Sequence, residues 1–310
     1  MSLRGKAGKE MNICPVCGGS ESSVAARAGA YEMLNCANCG LGYSEPMRAA
    51  PSSRYNVTDY FARWEFARFI GRIPGKGRKL LDVGCGKGIF LKMAERVGYD
   101  VYGVDFNGPA LKTARQKLPA VMIEEGKAED FLKRHPELRF DAITAFHVLE
   151  HLEDPAGFLI SSARHLTRGG MLAVSVPNPL RWQLKYGTEE WDVPPHHLTR
   201  WNFNSLNTVF DKAGLKIVFS SAETGFGNDL AYVHAVLNRS WGILSKFKRT
   251  PVYNLSQKTG TAGVSGVIGK AAGIKRKLMY IPAVPAVLIA KMTGWHAPGG
   301  VSLYVEAVKR

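Results

Sequence analysis

Short apolar runs alternate with segments of helical length over most of the chain, and this alternation restricts the fold more than any other feature. The runs cover residues 80–83, 101–104, 121–123, 142–146, 171–176, 216–219 and 302–308. Strands separated by helices connect through right-handed crossovers, and they assemble into a mostly parallel sheet that is covered on both faces. The sequence therefore predicts an α/β fold with a doubly wound sheet of seven strands.

The stretch between the last two predicted strands is too long for a simple loop. We predict a mainly helical insert over 222–300 inside a sheet domain made of 78–221 and 301–310. The insert carries ten Lys or Arg residues against two acids, about half of the chain's net charge of +15, together with an apolar run over 278–290. Basic and apolar residues together predict a lid or platform for an anionic or lipid-linked substrate, in contact with a membrane surface. The alternative is an ordinary solvated helical insert.

The first part of the chain has four cysteines in the pattern C-x2-C-x18-C-x2-C. A glycine follows each pair, and it allows the tight turn in which backbone N–H groups point at a thiolate. We predict a zinc-ribbon-like module over 1–49, followed by a linker and a helix over 50–77. The zinc ligands are Cys14, Cys17, Cys36 and Cys39, and the zinc is structural because four thiolates leave no open coordination position.

The chain starts without an apolar stretch of signal-peptide length. Its longest apolar run, 278–290, is 13 residues long and contains two prolines, whereas a transmembrane helix needs about 20 residues. Cysteines spaced for a metal indicate a reducing compartment. We therefore expect a cytoplasmic protein without a membrane span, with peripheral contact at the inner membrane surface through the insert.

The strongest motif follows the first strand of the predicted sheet, where residues 80–90 read Leu-Leu-Asp-Val-Gly-Cys-Gly-Lys-Gly-Ile-Phe. Glycine at every second position lets a ligand approach the backbone where a helix begins. The next strand ends in Asp105, which is placed to hold both hydroxyls of a ribose. A dinucleotide site would need glycine at Ile89, three residues after Gly86. Asp82 would repel a pyrophosphate, but it suits a ligand with an ammonium group.

On these motifs, residues 78–221 with 301–310 resemble the class I S-adenosylmethionine-dependent methyltransferases, a Rossmann-like fold, and among them the small-molecule O-methyltransferases of ubiquinone-biosynthesis type. The resemblance implies S-adenosylmethionine as the cofactor. It also implies that Asp82 lies near the ammonium group, that Asp105 holds the ribose and that Phe106 lines the adenine. The cofactor-binding residues expected on this basis are Asp82, Gly84, Cys85, Gly86, Gly88, Asp105, Phe106, Ala128, Glu129 and Phe146.

Such families often have an acid followed by alanine after the third strand, and the acid binds the adenine amino group. Here Lys127 precedes Ala128. Either Glu129 or Asp130 replaces that acid, or only the Ala128 backbone contacts the ring, and we favour Glu129. Alternatively, both acids only stabilise the N-terminus of a helix.

Polar residues that could serve the transfer follow the fourth strand. Methyl transfer is an in-line displacement, and a hydroxyl acceptor must lose a proton. If the turn is helical, His147, Glu150 and His151 share one face. His151 is the predicted general base, since histidine titrates near neutral pH. The resemblance also allows a divalent metal at Glu150 and His151, but His147 stands in place of the first acid, which weakens a magnesium site. A third reading is that Glu150 and His151 only cap and orient the helix.

A second polar group, His196 and His197, lies in a proline-containing loop after the fifth strand, between two tryptophans. Ligands of this fold bind beyond the carboxyl ends of the strands. Both histidines are secondary candidates for the base, or else they only hydrogen-bond the loop together.

The sequence thus predicts methyl transfer to a hydroxyl, or to a carbon or nitrogen, of a small molecule such as a sugar, a quinol or a lipid headgroup. Methylation of an RNA base is the alternative, because the chain is basic and some such enzymes carry an N-terminal zinc module. A scaffold that binds the cofactor without catalysis is a third. Residues 147–150 lack the Asn/Asp-Pro-Pro-aromatic motif of nucleic-acid amine methyltransferases. Methylation of a pyrimidine carbon by covalent attack needs a thiol, and Cys85, the sole cysteine outside the zinc pairs, belongs to the cofactor loop. Nucleic acid is therefore the less favoured partner, and no oligomeric state is predicted.

Overall fold

The described part of the molecule is built from two sheets and the helices that cover them. The computed structural model describes residues 12–51, 63–72, 75–181, 184, 192–222 and 300–310. The strands are β1 (Ser22–Ala28), β2 (Tyr31–Cys36), β3 (Gly42–Glu45), β4 (Lys79–Val83), β5 (Asp100–Asp105), β6 (Met122–Glu125), β7 (Phe140–Phe146), β8 (Leu166–Pro177), β9 (Thr199–Arg200), β10 (Leu215–Ala222) and β11 (Ser302–Lys309). The α-helices are α1 (Trp64–Arg72), α2 (Ile89–Arg96), α3 (Gly108–Lys117), α4 (Ala128–Arg134), α5 (Pro155–His165) and α6 (Phe203–Lys212). The predicted insert lies outside the described residues except for its two end positions.

The larger sheet has seven strands in the order β10-β11-β8-β7-β4-β5-β6. Strands β6, β5, β4, β7 and β8 pair in parallel, whereas β11 runs antiparallel to both β8 and β10. The predicted doubly wound, mostly parallel sheet of seven strands is therefore confirmed.

Both faces of this sheet are covered because its central strands are apolar on both sides. In β4, Leu80 packs into a core that includes Phe90 of α2, whereas the neighbouring Leu81 packs into a core that includes Phe158 of α5 and Phe210 of α6. This alternation fixes the register of β4, so it also fixes the position of the glycine loop that follows it.

The smaller sheet joins the N-terminal cysteine region to the rest of the chain. Its order is β1-β2-β3-β9, with every pair antiparallel. Strand β9 belongs to the predicted sheet domain, and Trp201 and Phe210 share one hydrophobic core with Leu34 and Tyr43 of the cysteine region. The predicted zinc-ribbon-like module thus completes its sheet with a strand from the second half of the chain.

The turn after β7 differs from the helix that would place His147, Glu150 and His151 on one face. Only Leu149–His151 is helical, as a 3₁₀ helix, and His147 has a φ of 57° in the left-handed region. Strand β8 begins at Leu166, five residues before the predicted run 171–176. The prediction is too short because the Gly169-Gly170 pair resembles a turn in sequence. Among the described residues, no helix has the length and hydropathy to cross a membrane.

Two glycines provide a matched test of the backbone. Gly88 caps α2 with a φ of 72°, and a Cβ there would lie 3.1 Å from the Ala114 Cβ. We expect Gly88→Ala to lower the free energy of unfolding by about 1–3 kcal/mol. Among the described residues, no atom lies within 4 Å of the Cβ position of Gly71 in α1, so Gly71→Ala should raise the free energy of unfolding by about 0.4–1 kcal/mol. Urea unfolding measures both, and equal effects would contradict the assigned conformations.

Candidate active site

The predicted cofactor loop and the histidine region meet where the order of the larger sheet reverses. Strand β4 leads through β5 to β6 on one side, and β7 leads to β8 on the other. Ligands of open α/β sheets bind in the crevice at such a switch point. The loop after β4 touches the turn after β7, since a Cβ on Gly84 would lie 2.5 Å from Cγ2 of Val148. The structure thus brings the two predicted groups together.

Asp105 holds the glycine loop in place. Its Oδ2 accepts a hydrogen bond from the Gly86 N–H at 2.8 Å, and its Oδ1 accepts one from the Asn107 N–H at 2.8 Å. Its backbone carbonyl accepts from the Gly126 N–H at 3.0 Å, which ties the loop after β6 to the same place. Burial raises the pKa of the Asp105 carboxyl. Gly84, Gly86 and Gly88 all have positive φ, as the tight loop requires.

Asp82 is a buried carboxyl under this loop, with 3% exposure. Thr144 Oγ1 donates a hydrogen bond to its Oδ1 at 2.7 Å. Burial, reinforced by the nearby charge of Asp105, raises the pKa of Asp82 to about 8. Burial also raises the pKa of the Cys85 thiol well above its ordinary value, so this thiol stays protonated and is a poor nucleophile.

The remaining predicted cofactor residues lie at the carboxyl ends of neighbouring strands. Phe106, 40% exposed, follows β5, and Ala128 and Glu129 begin α4 just after β6. Burial raises the pKa of Glu129. Phe146 ends β7, where its ring lies 5.0 Å from that of Phe90, so it contacts the aromatic core under α2.

The histidine region is ordered by hydrogen bonds that the Nδ1 atoms of two histidine rings donate. His151 Nδ1 donates to the His196 carbonyl at 2.7 Å, and His197 Nδ1 donates to Asp192 Oδ1 at 3.1 Å. Arg181 binds the other oxygen of Asp192 at 2.6 Å. These bonds select the tautomer with the lone pair on Nε2 in each ring. Of the three histidines predicted as bases, His196 thus contributes its backbone carbonyl to the positioning of His151.

Glu150 lies among these rings with 1% exposure. Its Oε1 is 3.4 Å from His147 Nδ1 and 3.9 Å from His151 Nε2. Burial alone would raise the pKa of Glu150, but the surrounding imidazoles outweigh it and lower the value to about 2. Burial lowers the pKa of His151 to about 4. At neutral pH the group therefore combines an ionised carboxylate with a neutral His151.

The same side chains form a set of possible metal ligands. One ligand atom from each of Glu150, His151 and His197 lies within 4.8 Å of the other two. Among the described residues, no group makes a hydrogen bond to either of the buried carboxylate oxygens of Glu150. Two imidazoles and one carboxylate suit a transition metal better than magnesium, which prefers oxygen ligands.

Two acids in this network were missed by the sequence reasoning. Glu65 of α1 contacts His147 Nε2 at 3.2 Å and accepts a hydrogen bond from Ser302 Oγ at 2.9 Å. Burial would raise the pKa of Glu65, but the His147 ring holds it below its ordinary value. Asp192 was assigned no role, although its place five residues before His197 in a polar loop was a signal.

The four predicted zinc ligands lie together. Cys14 and Cys39 have their sulfurs 3.7 Å apart, Cys17 and Cys36 theirs 3.4 Å apart, and all four sulfurs lie within 4.8 Å of one another. Zinc–sulfur bonds of about 2.3 Å in a tetrahedron place the sulfurs about 3.8 Å apart. The four thiols, none of which is in a disulfide, therefore fit a tetrahedral metal ion.

Residues 56–219 match the family model described as a methyltransferase domain. This match covers more than half of the chain, which therefore belongs to the class I S-adenosylmethionine-dependent methyltransferases.

Curated relatives include the ubiquinone biosynthesis O-methyltransferase of Thiobacillus denitrificans, 40% identical over 111 residues, which are 34% of this chain and 47% of the relative. The protein of the same name from Alkalilimnicola ehrlichii is 32% identical over 145 residues, 41% of this chain and 59% of the relative. The chain thus spans about half the length of these relatives. A methyltransferase structure from Archaeoglobus fulgidus aligns with a TM-score of 0.48 and 18% identity, over 79% of this chain and 91% of that chain.

The raised pKa of Asp82 makes stability depend on pH. The folded protein holds a proton on Asp82 up to about pH 8, whereas the unfolded chain releases it near pH 4. Asp82 therefore weakens the fold as pH rises through this window. We expect the free energy of unfolding of Asp82→Asn, measured relative to that of the unsubstituted protein, to increase by at least about 1 kcal/mol from pH 5 to pH 8.

Urea unfolding of the ligand-free protein across this pH range measures the difference. Thr144→Val removes a hydrogen bond that favours the ionised carboxylate, so the loss of stability should continue to a higher pH than in the unsubstituted protein. A difference between Asp82→Asn and the unsubstituted protein that stays constant with pH would contradict the assignment.

Proposed function

We propose that the protein transfers the methyl group of S-adenosylmethionine to a hydroxyl group of a small molecule. The observation that carries this proposal is the contact between the glycine loop after β4 and the turn after β7. This turn leads into the histidine–acid group, which consists of Glu150, His151 and His197. A cofactor on the glycine loop and a hydroxyl over His151 would face each other across the switch point. Proximity of the two reactants accounts for much of the catalysis of such a displacement.

On the cofactor side, we assign Asp105 to the ribose hydroxyls and Asp82 to the ammonium group. Asp82 holds a proton in the ligand-free protein because burial raises its pKa to about 8. An adjacent ammonium charge favours the ionised form. Binding at neutral pH is therefore coupled to release of that proton, after which the buried charges neutralise each other.

On the acceptor side, we assign proton removal to His151, although burial lowers its pKa to about 4 in place of the near-neutral value expected from the sequence. Its Nδ1 is bound to the His196 carbonyl at 2.7 Å, so the proton of the hydroxyl passes to Nε2. The Glu150 carboxylate, 3.9 Å from Nε2, stabilises the imidazolium that forms. S-adenosylmethionine supplies the electrophilic methyl group, and the hydroxyl oxygen displaces the sulfur. His197, held by Asp192, is packed edge-on against the His151 ring.

A second role for the same group has its own support. Glu150, His151 and His197 could hold a divalent transition metal, since one ligand atom from each lies within 4.8 Å of the others. Such an ion would lower the pKa of an acceptor hydroxyl. Addition of Mn²⁺ or Zn²⁺ distinguishes the two roles, because a protein that uses His151 as the base gains no turnover from it.

For the acceptor, we propose a phenolic hydroxyl on a molecule with an apolar part. The names of the curated relatives support an O-methylated acceptor of the quinol type. A cleft of about 390 Å³ lies between the turn around Ala30 and the loop around Pro194, and its lining is mostly apolar. The peripheral membrane contact predicted from the basic insert belongs to residues outside those described and stays a prediction.

For the cysteines, we propose one structural zinc ion. The four sulfurs fit a tetrahedral ion, and the N–H of Gly19 donates to Cys17 Sγ at 3.3 Å. Burial raises the pKa values of Cys14 and Cys39. Burial acts in the same direction on Cys36, but the backbone donors of Cys39 and the neighbouring thiols outweigh it and lower the pKa of Cys36 to about 7. A thiolate favoured in this way is the form that binds zinc.

The acceptor class is tested with S-adenosylmethionine that carries a labelled methyl group. The full chain is incubated with catechol, a prenylated catechol, a nucleotide sugar or total RNA. We expect label on a phenolic oxygen, with more turnover on the prenylated catechol than on catechol. Label on RNA alone would overturn the proposal in favour of RNA methylation.

The base is tested on the acceptor that takes up label. His151→Ala should lower kcat by about a hundredfold or more, with the affinity for S-adenosylmethionine unchanged. His165→Ala, at the end of α5, is the matched control and should retain kcat. Because the pKa of His151 is lowered to about 4, protonation of this base should not reduce the rate between about pH 6 and pH 8. Unchanged turnover in His151→Ala would exclude it as the base.

A further inference from the structure

We propose that the cysteine region positions the histidine–acid group, so that a metal ion on the four cysteines sets the geometry of methyl transfer. "Cysteine module" denotes residues 12–50 here, and "histidine loop" denotes residues 192–200. The catalytic meaning of this inference rests on the proposed function. Its structural content, that the metal holds the histidine loop in place, does not.

Backbone hydrogen bonds join the cysteine module to Glu150 through the histidine loop. The Ser44 N–H donates to the Leu198 carbonyl at 2.8 Å, and the Leu198 N–H donates to the Glu150 carbonyl at 2.7 Å. Strand β3 then pairs with β9, with Tyr43 opposite Thr199. The residue directly after His197 is therefore held between the module on one side and the 3₁₀ helix of Glu150 on the other.

The module also holds the histidine loop before His197. The Ala50 N–H donates to the Pro195 carbonyl at 3.0 Å, and the Ala49 N–H donates to Glu153 Oε1 at 2.9 Å. Pro195 and Leu198 flank the two adjacent histidines. Because the His196 carbonyl accepts the proton of His151 Nδ1, a shift of this loop would move two histidines at once.

The second cysteine pair is itself bound to the helix that follows the loop. The Gly40 N–H donates to the Cys36 carbonyl at 3.0 Å, which closes the tight turn around the metal ligands. Asn202 Nδ2 donates to the Gly40 carbonyl at 2.7 Å, and Asn204 Nδ2 donates to the Cys39 carbonyl at 3.1 Å. Both asparagines are at the N-terminus of α6, directly after β9.

A metal ion is what keeps this turn folded. Without it, four thiols stand close together, and small modules of this kind generally unfold when the metal is removed. The carbonyls of Cys39 and Gly40 would then no longer hold Asn202 and Asn204. A misplacement of about 1 Å in a catalytic group can lower the rate about a hundredfold. The cofactor loop is held separately by Asp105, so the affinity for S-adenosylmethionine should not change.

One asparagine offers a variant that leaves the cysteines intact. Asn202 Oδ1 caps α6 by accepting from the Ser205 N–H at 2.8 Å, while its Nδ2 binds Gly40. Asn202→Asp keeps the cap, but it places a carboxylate against the Gly40 carbonyl. Asn207 is exposed in the middle of the same helix, so Asn207→Asp, which adds the same charge to α6, is the matched control.

The experiment measures zinc content and hydrogen exchange in the full chain. We expect about one zinc ion per chain. In Asn202→Asp, the amides of 196–200 and 149–151 should exchange about tenfold faster or more, while those of β5 are unchanged. The metal-free Cys36→Ser variant should show the same pattern, and Asn207→Asp should show none of it. If Cys36→Ser does not fold, removal of zinc from the unsubstituted chain with a chelator replaces it, and unchanged exchange of 196–200 after removal would overturn the proposal.

Kinetics distinguish positioning from a general loss of stability. In Asn202→Asp, kcat should fall about tenfold while KM for S-adenosylmethionine stays within about twofold. Full protection of 196–200 in Asn202→Asp, or equal acceleration in β5, would overturn the proposal. Hydrogen exchange needs no acceptor, so failure to find a methylated product would count against the proposed function and leave this inference standing.

Discussion

The carboxylate of Glu150 is the constraint on which the active-site region depends. A buried ionised group must be surrounded by compensating partners, because its desolvation is costly. Here the partners are imidazole rings from both sides, His147 and His151 from its own turn and His197 from a distant loop. To bring them together, the turn after β7 adopts a left-handed residue at His147, and the histidine loop lies directly over the 3₁₀ helix.

The parts of the fold that could be predicted from sequence are those determined by local patterns. Each strand of the larger sheet contains a short apolar run, and the glycines after β4 mark the loop that a ligand can approach. Strand β9 could not be found in this way, because two residues carry no periodicity. Its existence depends on a partner, β3, from the beginning of the chain.

The residues of the candidate site also fall into two groups, those that a local sequence pattern indicates and those that depend on a distant partner. Asp82 is the second-last residue of β4 and Asp105 the last residue of the adjacent β5, so their positions followed from the motif, and the four cysteines followed from their spacing. Glu65 gave no signal, since its role comes from contact with His147, 82 residues further along the chain. The roles of His196 and His197 were not distinguishable in sequence, because the difference lies in which part of each residue contacts His151, the backbone carbonyl of His196 and the ring of His197.

The mixed origin of the smaller sheet also bears on how the protein folds during synthesis. Gly40 and its partner Asn202 are 162 positions apart, so the cysteines leave the ribosome well before the strand and helix that pack against them. Pairings between such distant segments form slowly. A metal ion bound early would preserve the two cysteine turns through that interval, and the nascent chain would then present a preformed edge, β3, to which β9 attaches last.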